Sequence, residues 1–133
     1  MINVIKDIWD SMRALPLWVQ IWVFVILVPV NFATIFFLGE PNGVLIACLA
    51  IVGILPNVFL MFWERGFSKI MALSHIIFWI PLVAFISVTY ANLESGPFAA
   101  FCIILFAVDL ISLVFDIKDG LAWFKGDRAV VRP

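Results

Sequence analysis

The chain has 133 residues, 65% of them hydrophobic and only 13% charged, with a formal net charge of -1. Those fractions exclude an ordinary soluble domain, because four helices that are apolar all round cannot all be buried in so small a globule. No basic surface is large enough to suggest nucleic acid, and the lipid bilayer is the expected solvent.

Residues 1–16 open the chain with Ile5, Ile8, Trp9, Met12 and Leu15 at helical spacing, and with Lys6, Asp7, Asp10 and Arg13 on the other side. This pattern predicts a short amphipathic helix lying at the membrane interface, ended by Pro16. Asp7 and Asp10 interrupt the start, and no small-residue cleavage pattern follows. The segment is therefore expected to be retained and not removed as a signal peptide.

Four apolar runs follow, at 17–38, 43–63, 70–90 and 98–117. Each has the ~20 residues needed to cross a hydrocarbon core of about 30 Å. The predicted fold is an all-α integral membrane protein, a single membrane domain in which a four-transmembrane-helix antiparallel bundle follows the short amphipathic interfacial helix. Residues 118–133 are expected to leave the membrane at Lys118, Asp119 and Gly120, to touch the interface at Leu121–Phe124, and to end as a loose cytoplasmic tail.

All eight Lys and Arg residues fall on alternate sides of these runs. Lys6 and Arg13 precede the first, Arg65 and Lys69 separate the second from the third, and Lys118, Lys125, Arg128 and Arg132 follow the fourth. The connections 39–42 and 91–97 carry none. Cytoplasmic loops retain basic residues, so the pattern predicts an inner-membrane protein with both termini cytoplasmic. Trp9, Trp18, Trp63 and Trp123 map to the same interface, where amphipathic rings prefer to lie, and Tyr90 maps to the other. Such complete bias argues against insertion in both orientations.

Asp109 is the sharpest polar signal, about eight residues or roughly 12 Å inside the fourth run. An ionised carboxylate there costs at least about 2.5 kcal/mol, so it must be protonated, paired or facing a wet cavity. Cys102, Asp109 and Asp116 follow heptad spacing, and Ser112 lies one turn from Asp109, which gives the fourth helix one polar face. His75 and Asn57 fall at similar depth on the third and second helices. An Asp109, His75, Asn57 and Ser112 cluster is the candidate site, able to share or pass a proton, with a structural polar clasp as the alternative. Gln20, Asn31 and Thr34 lie along one face of the first helix and, with Asp116, are candidate lining of a pathway; helix-packing contacts are the alternative.

Pro29, Pro56 and Pro81 leave the carbonyls of Val25, Val52 and Ile77 without their usual donors. Tolerated kinks are the expected reading, with hinges or ion ligands as the rarer one. Gly43, Ala47, Ala50 and Asn57 form a small-residue stripe that permits close backbone approach. Cys48 and Cys102 are expected as two buried thiols and not as a disulfide.

One His and two Cys outside any Cys-x-x-Cys pattern give no haem-binding or zinc motif, and no cofactor or metal is expected. A phosphate-binding loop, a His-Glu-x-x-His motif and a nucleophile elbow are all missing, so catalysis by this chain is not expected. Two functions remain open: an oligomeric channel or transporter for a small ion or solute, and a non-catalytic accessory or assembly subunit of a larger membrane complex. A homo-oligomer or a larger membrane complex is expected, since four thin helices enclose little volume and a transport path needs a second copy or a partner to complete its walls.

Overall fold

A computed structural model describes all of residues 1–133. It is helical throughout, and its one extended contact is an isolated antiparallel bridge between Ser68 and Val130. Four helices are long and apolar enough to cross a membrane: Leu17–Phe37, Gly43–Glu64, Lys69–Asn92 and Pro97–Phe124, here the first to fourth long helices. The N-terminal helix, Ile2–Ala14, precedes them.

Polar side chains lie inside and many large apolar ones outside. Asn31, Thr34, Ser74, Asp109 and Ser112 are buried, whereas Phe36, Phe59, Trp63, Ile77, Val88 and Val114 are exposed. The buried apolar core is narrow and centred on Trp79, Leu82, Cys102 and Leu105, with Leu27, Ile46 and Ala50 from the first two long helices. Cys102 is buried as expected, but Cys48 is exposed, because it points away from the Gly43–Ala47–Ala50 stripe that faces the neighbouring helices. Gly43 permits that approach: a Cβ there would lie 2.0 Å from the Phe37 carbonyl oxygen.

The first two long helices are interrupted, each close to a proline. In the first, a π-helical turn at Trp22–Leu27 immediately precedes Pro29. The widened turn accommodates a ring that would otherwise meet the Val25 carbonyl. The helix then tightens into a 3-10 turn at Ala33–Phe37. The second long helix breaks between Val52 and Leu55, with Pro56 in the first turn of the resumed helix. Pro81 lies within the continuous Ala72–Thr89 segment of the third.

The fourth long helix runs unbroken for 28 residues and passes the expected end at 117 by seven. Lys118 and Asp119 do not break it, and Gly120 is buried, with space for a Cβ only 3.2 Å from Ile76 Cδ1. Packing against the third helix therefore offsets the ~1 kcal/mol helix cost of this glycine. The stop comes at Gly126, whose φ of 106° lets Gly126 N–H reach the Trp123 carbonyl and Asp127 N–H the Ala122 carbonyl.

The expected loose tail is instead tied down. Val131 N–H donates to the Phe67 carbonyl at 2.8 Å, Arg132 donates to the Arg65 carbonyl at 2.9 Å, and Lys69 pairs with Asp127. The N-terminal helix reaches the same turn: Phe67 N–H donates to the buried Ser11 hydroxyl at 2.9 Å, and Arg65 pairs with Asp7 at 2.7 Å. Residues 64–69 are thus a common anchor for both ends of the chain. Local backbone needs, unmet at a helix end, are what recruit these segments.

Candidate functional site

Asp109, Ser112 and Asp116 occupy successive turns of one face of the fourth long helix, because three- and four-residue spacings return to the same side. Each is met by a different side chain. Asn31 Nδ2 donates to Asp109 Oδ1 at 2.7 Å, Trp22 Nε1 donates to Ser112 Oγ at 2.9 Å, and His75 Nδ1 lies 3.1 Å from Asp116 Oδ2. The first two partners come from the irregular first helix and the third from the third helix. Together they form a ladder of three polar rungs.

The deepest rung is fully enclosed, with Asn31 and Asp109 both at 0% exposure. The two donors of Asn31 are used, one by Asp109 and one by the Leu27 carbonyl at 3.0 Å. The Asn31 Oδ1 and Asp109 Oδ2 atoms are the two buried side-chain atoms in the protein without a hydrogen-bond partner. Unsatisfied buried oxygens are costly, and both belong to one contacting pair.

The rung nearest the end that carries the N-terminal helix is part of a longer network. Asn57 Nδ2 lies 3.0 Å from His75 Nε2, and Ser74 Oγ lies 2.9 Å from Asn57 Oδ1. His75 also stacks on Trp79 with ring centroids 3.9 Å apart and planes inclined by 7°. The break in the second helix explains this cluster. There Ile54 N–H bonds the Ile51 carbonyl and Asn57 N–H the Ile54 carbonyl, both at 2.9 Å and both shifted from the usual four-residue spacing. The carbonyls of Ala50 and Gly53 lose their α-helical donors as a result. Trp79 Nε1 takes the Ala50 carbonyl at 3.1 Å, and the Ser74 hydroxyl takes that of Gly53 at 2.9 Å. Only glycine fits at 53, where a Cβ would lie 2.2 Å from Trp79 Nε1.

The sequence-based cluster of Asp109, His75, Asn57 and Ser112 is therefore divided. His75 and Asn57 join each other and Asp116, while Asp109 joins Asn31 and Ser112 joins Trp22. Equal depth does not imply contact, because helix rotation decides which side chains face each other. The candidate lining is divided as well. Gln20 reaches back to the Leu15 carbonyl at 2.8 Å and fastens the turn at Pro16, and Thr34 donates to the Asn31 carbonyl at 2.6 Å on its own helix.

Ser74, Trp79 and Trp22 were not legible as site residues. Trp79 lies four positions from His75, a spacing that places two side chains on one helix face and was the available signal. Ser74 and Trp22 carry no comparable mark.

Two surface cavities flank this core without touching Asp109. One of about 240 Å³ is wholly apolar and lies between Trp9 and Met12 of the N-terminal helix and Phe24, Met61 and Phe67. The other, about 310 Å³, lies at the opposite end between Glu40 and the 92–98 turn. No cluster of three or more His, Cys, Asp or Glu side chains is placed to hold a metal ion. Comparison with protein-family models, curated proteins and solved structures finds no match for this chain.

Proposed function

We propose that this is a small polytopic inner-membrane protein that handles protons through its buried carboxyl group, as a channel or transporter completed by a second copy or a partner. The bundle is antiparallel, both termini are cytoplasmic as the basic residues require, and the N-terminal helix lies along the inner interface. The Asn57–His75–Asp116 end of the ladder then faces the cytoplasm.

The observation that carries this reading is the matched pair of unpartnered oxygens, Asn31 Oδ1 and Asp109 Oδ2. One proton on Asp109 Oδ2 supplies a donor, and Asn31 Oδ1 is the vacant acceptor of the same pair. A proton needs no cavity. A dehydrated alkali ion needs several oxygens around it, and Asp109 belongs to no cluster of three or more His, Cys, Asp or Glu side chains.

Proteoliposomes under an imposed proton gradient provide the test. Asp109→Asn keeps the size of the side chain and removes its titratable proton, so loss of proton flux is expected. Flux equal to that of the unaltered protein would remove Asp109 from the transport reading.

A second reading is supported by a specific observation: each rung is fastened within a single chain, while aromatic residues such as Phe36, Phe59 and Trp63 face outward. On this reading the polar groups lock the bundle, and the exterior meets other subunits of a membrane complex. Purification in mild detergent separates the two. A chain that always emerges alone as a homo-oligomer loses the main support for an accessory role.

A further inference from the structure

The network around His75 has more hydrogen-bonding freedom than its four side chains need in any one state. The Ser74 hydroxyl carries one proton and has three acceptors in reach, the Gly53 carbonyl and Asn57 Oδ1 at 2.9 Å and the Met71 carbonyl at 3.3 Å. Asn57 has an acceptor at one end of its amide and a donor at the other, and stands between Ser74 and His75 Nε2. The two ends of an amide are nearly equal in shape, so a half-turn exchanges their roles without moving a neighbour.

With His75 neutral, Ser74 donates to Asn57 Oδ1, Asn57 Nδ2 donates to His75 Nε2, and His75 carries its proton on Nδ1, which it donates to Asp116. With His75 doubly protonated, Nε2–H is a donor and the Asn57 amide must turn to offer Oδ1. Its Nδ2 then donates to Ser74 Oγ, and the Ser74 proton goes to the Gly53 carbonyl. The four side chains are bonded to one another in both arrangements, and the Gly53 carbonyl gains the Ser74 donor only in the second. The only covalent change is transfer of one proton from a water-borne acid on the inner side to Nε2, whose side chain retains 13% exposure.

We infer that Ser74, Asn57, His75 and Asp116 form a proton-loading site with two hydrogen-bonded arrangements of its side chains, in which loading His75 turns the Ser74 hydroxyl from Asn57 to the Gly53 carbonyl at the break of the second helix. His75 is the group that takes the proton, and Asn57 and Ser74 are positioning residues. The site deepens the proton-handling reading and rests on different atoms from the Asn31–Asp109 pair. The charged groups around it are Asp116 and Asp119 of the fourth helix, Lys69 on its own helix, which Asp127 holds, and Glu64 at the end of the second, which accepts from Ser68. The first long helix contains no charged residue.

His75 is the only histidine in the chain, so the full-length protein labelled with 15N-histidine and placed in lipid nanodiscs reports on this site alone. At neutral imidazole charge the expected signal is a protonated Nδ1 and a bare Nε2. On acidification both nitrogens should carry protons, and the Asn57 side-chain amide and the backbone amides around Gly53 should shift in the same transition. A neutral imidazole protonated on Nε2, an imidazole that never takes a second proton, or a transition that leaves the Asn57 amide unmoved would each overturn the inference. In Asn57→Asp an ionised carboxylate can only accept, so the bare Nε2 signal is expected to vanish, and its survival would also overturn it. Asp109→Asn should leave the histidine signals unchanged while removing proton flux, so failures of the two proposals are seen separately.

Discussion

Asn31 and Asp109 meet at 2.7 Å across 78 positions of sequence, and each keeps one buried oxygen without a partner. The pair joins the first and fourth long helices, and no other side chain supplies the missing bonds. Its two members are consequently interdependent. Changing one changes what the other requires.

Replacing Asn31 by Leu removes the only side-chain hydrogen bond that Asp109 makes. A loss of about 1–3 kcal/mol in unfolding free energy is expected, because the carboxyl group is left buried and bare. Adding Asp109→Leu should recover part of that loss, since both polar groups are then gone. Equilibrium unfolding in mixed micelles over the four members of the cycle measures the coupling. Additive effects would show that the two side chains do not depend on each other.

Gly53→Ala places a methyl group where Trp79 Nε1 and Cδ1 would lie 2.2 and 2.7 Å away. The indole must move, which breaks its bond to the Ala50 carbonyl and its stacking on His75. Overpacking of this kind costs about 1–3 kcal/mol. A lowered thermal midpoint in detergent, together with a changed near-ultraviolet circular dichroism spectrum, is the expected outcome, and unaltered values for both would contradict this packing.

Trp22→Phe keeps an aromatic ring and deletes the donor to Ser112 Oγ. Interhelical bonds in membranes are worth about 0.6 kcal/mol on average and up to about 1.7. The substitution should therefore be mild, and it should have less effect when made on a Ser112→Ala background. An equal loss in both backgrounds would assign the effect to packing instead of the bond.

The contact between Lys69 and Asp127 gives the tail a pH dependence of definite sign. The hydrogen bond from Lys69, and then its positive charge, holds the Asp127 carboxyl below the ordinary carboxylate range. A group whose folded value is depressed stabilises above its unfolded value and loses that contribution as pH falls through the folded one. The tail contact should accordingly persist at neutral pH and open only under acid conditions, earlier at high salt because both side chains are exposed. Protection of the Val131 amide, taken relative to the unstructured exchange rate at each pH, follows the opening, and Asp127→Asn should lower that protection and remove its acid dependence.

Helix number was legible because a long apolar run has few alternatives. Three of the four runs match the observed helices to within two residues at each end. The fourth was read as ending at 117 because charges and a glycine normally signal an exit. In the structure Gly120 is buried against Ile76, and the helix continues to Phe124. A residue that breaks an isolated helix is retained when a neighbour needs its small size.

The same division runs through the site. Depth along a helix follows from counting residues, and Asp109, His75, Asn57 and Ser112 lie within the long apolar helices. Rotation about the helix axis does not follow from counting. The π turn before Pro29 and the break before Pro56 alter the angular register of the first two helices. Those distortions sit beside the positions at which Asn31 meets Asp109 and Asn57 meets His75. By itself the sequence determined that this chain forms four helices able to cross a membrane, and at what level each polar residue lies, since both depend only on hydrophobic length and axial rise. Which polar residues touch was decided by tertiary structure, because helix rotation, set by proline, glycine and the packing of Trp79, chooses one partner over another.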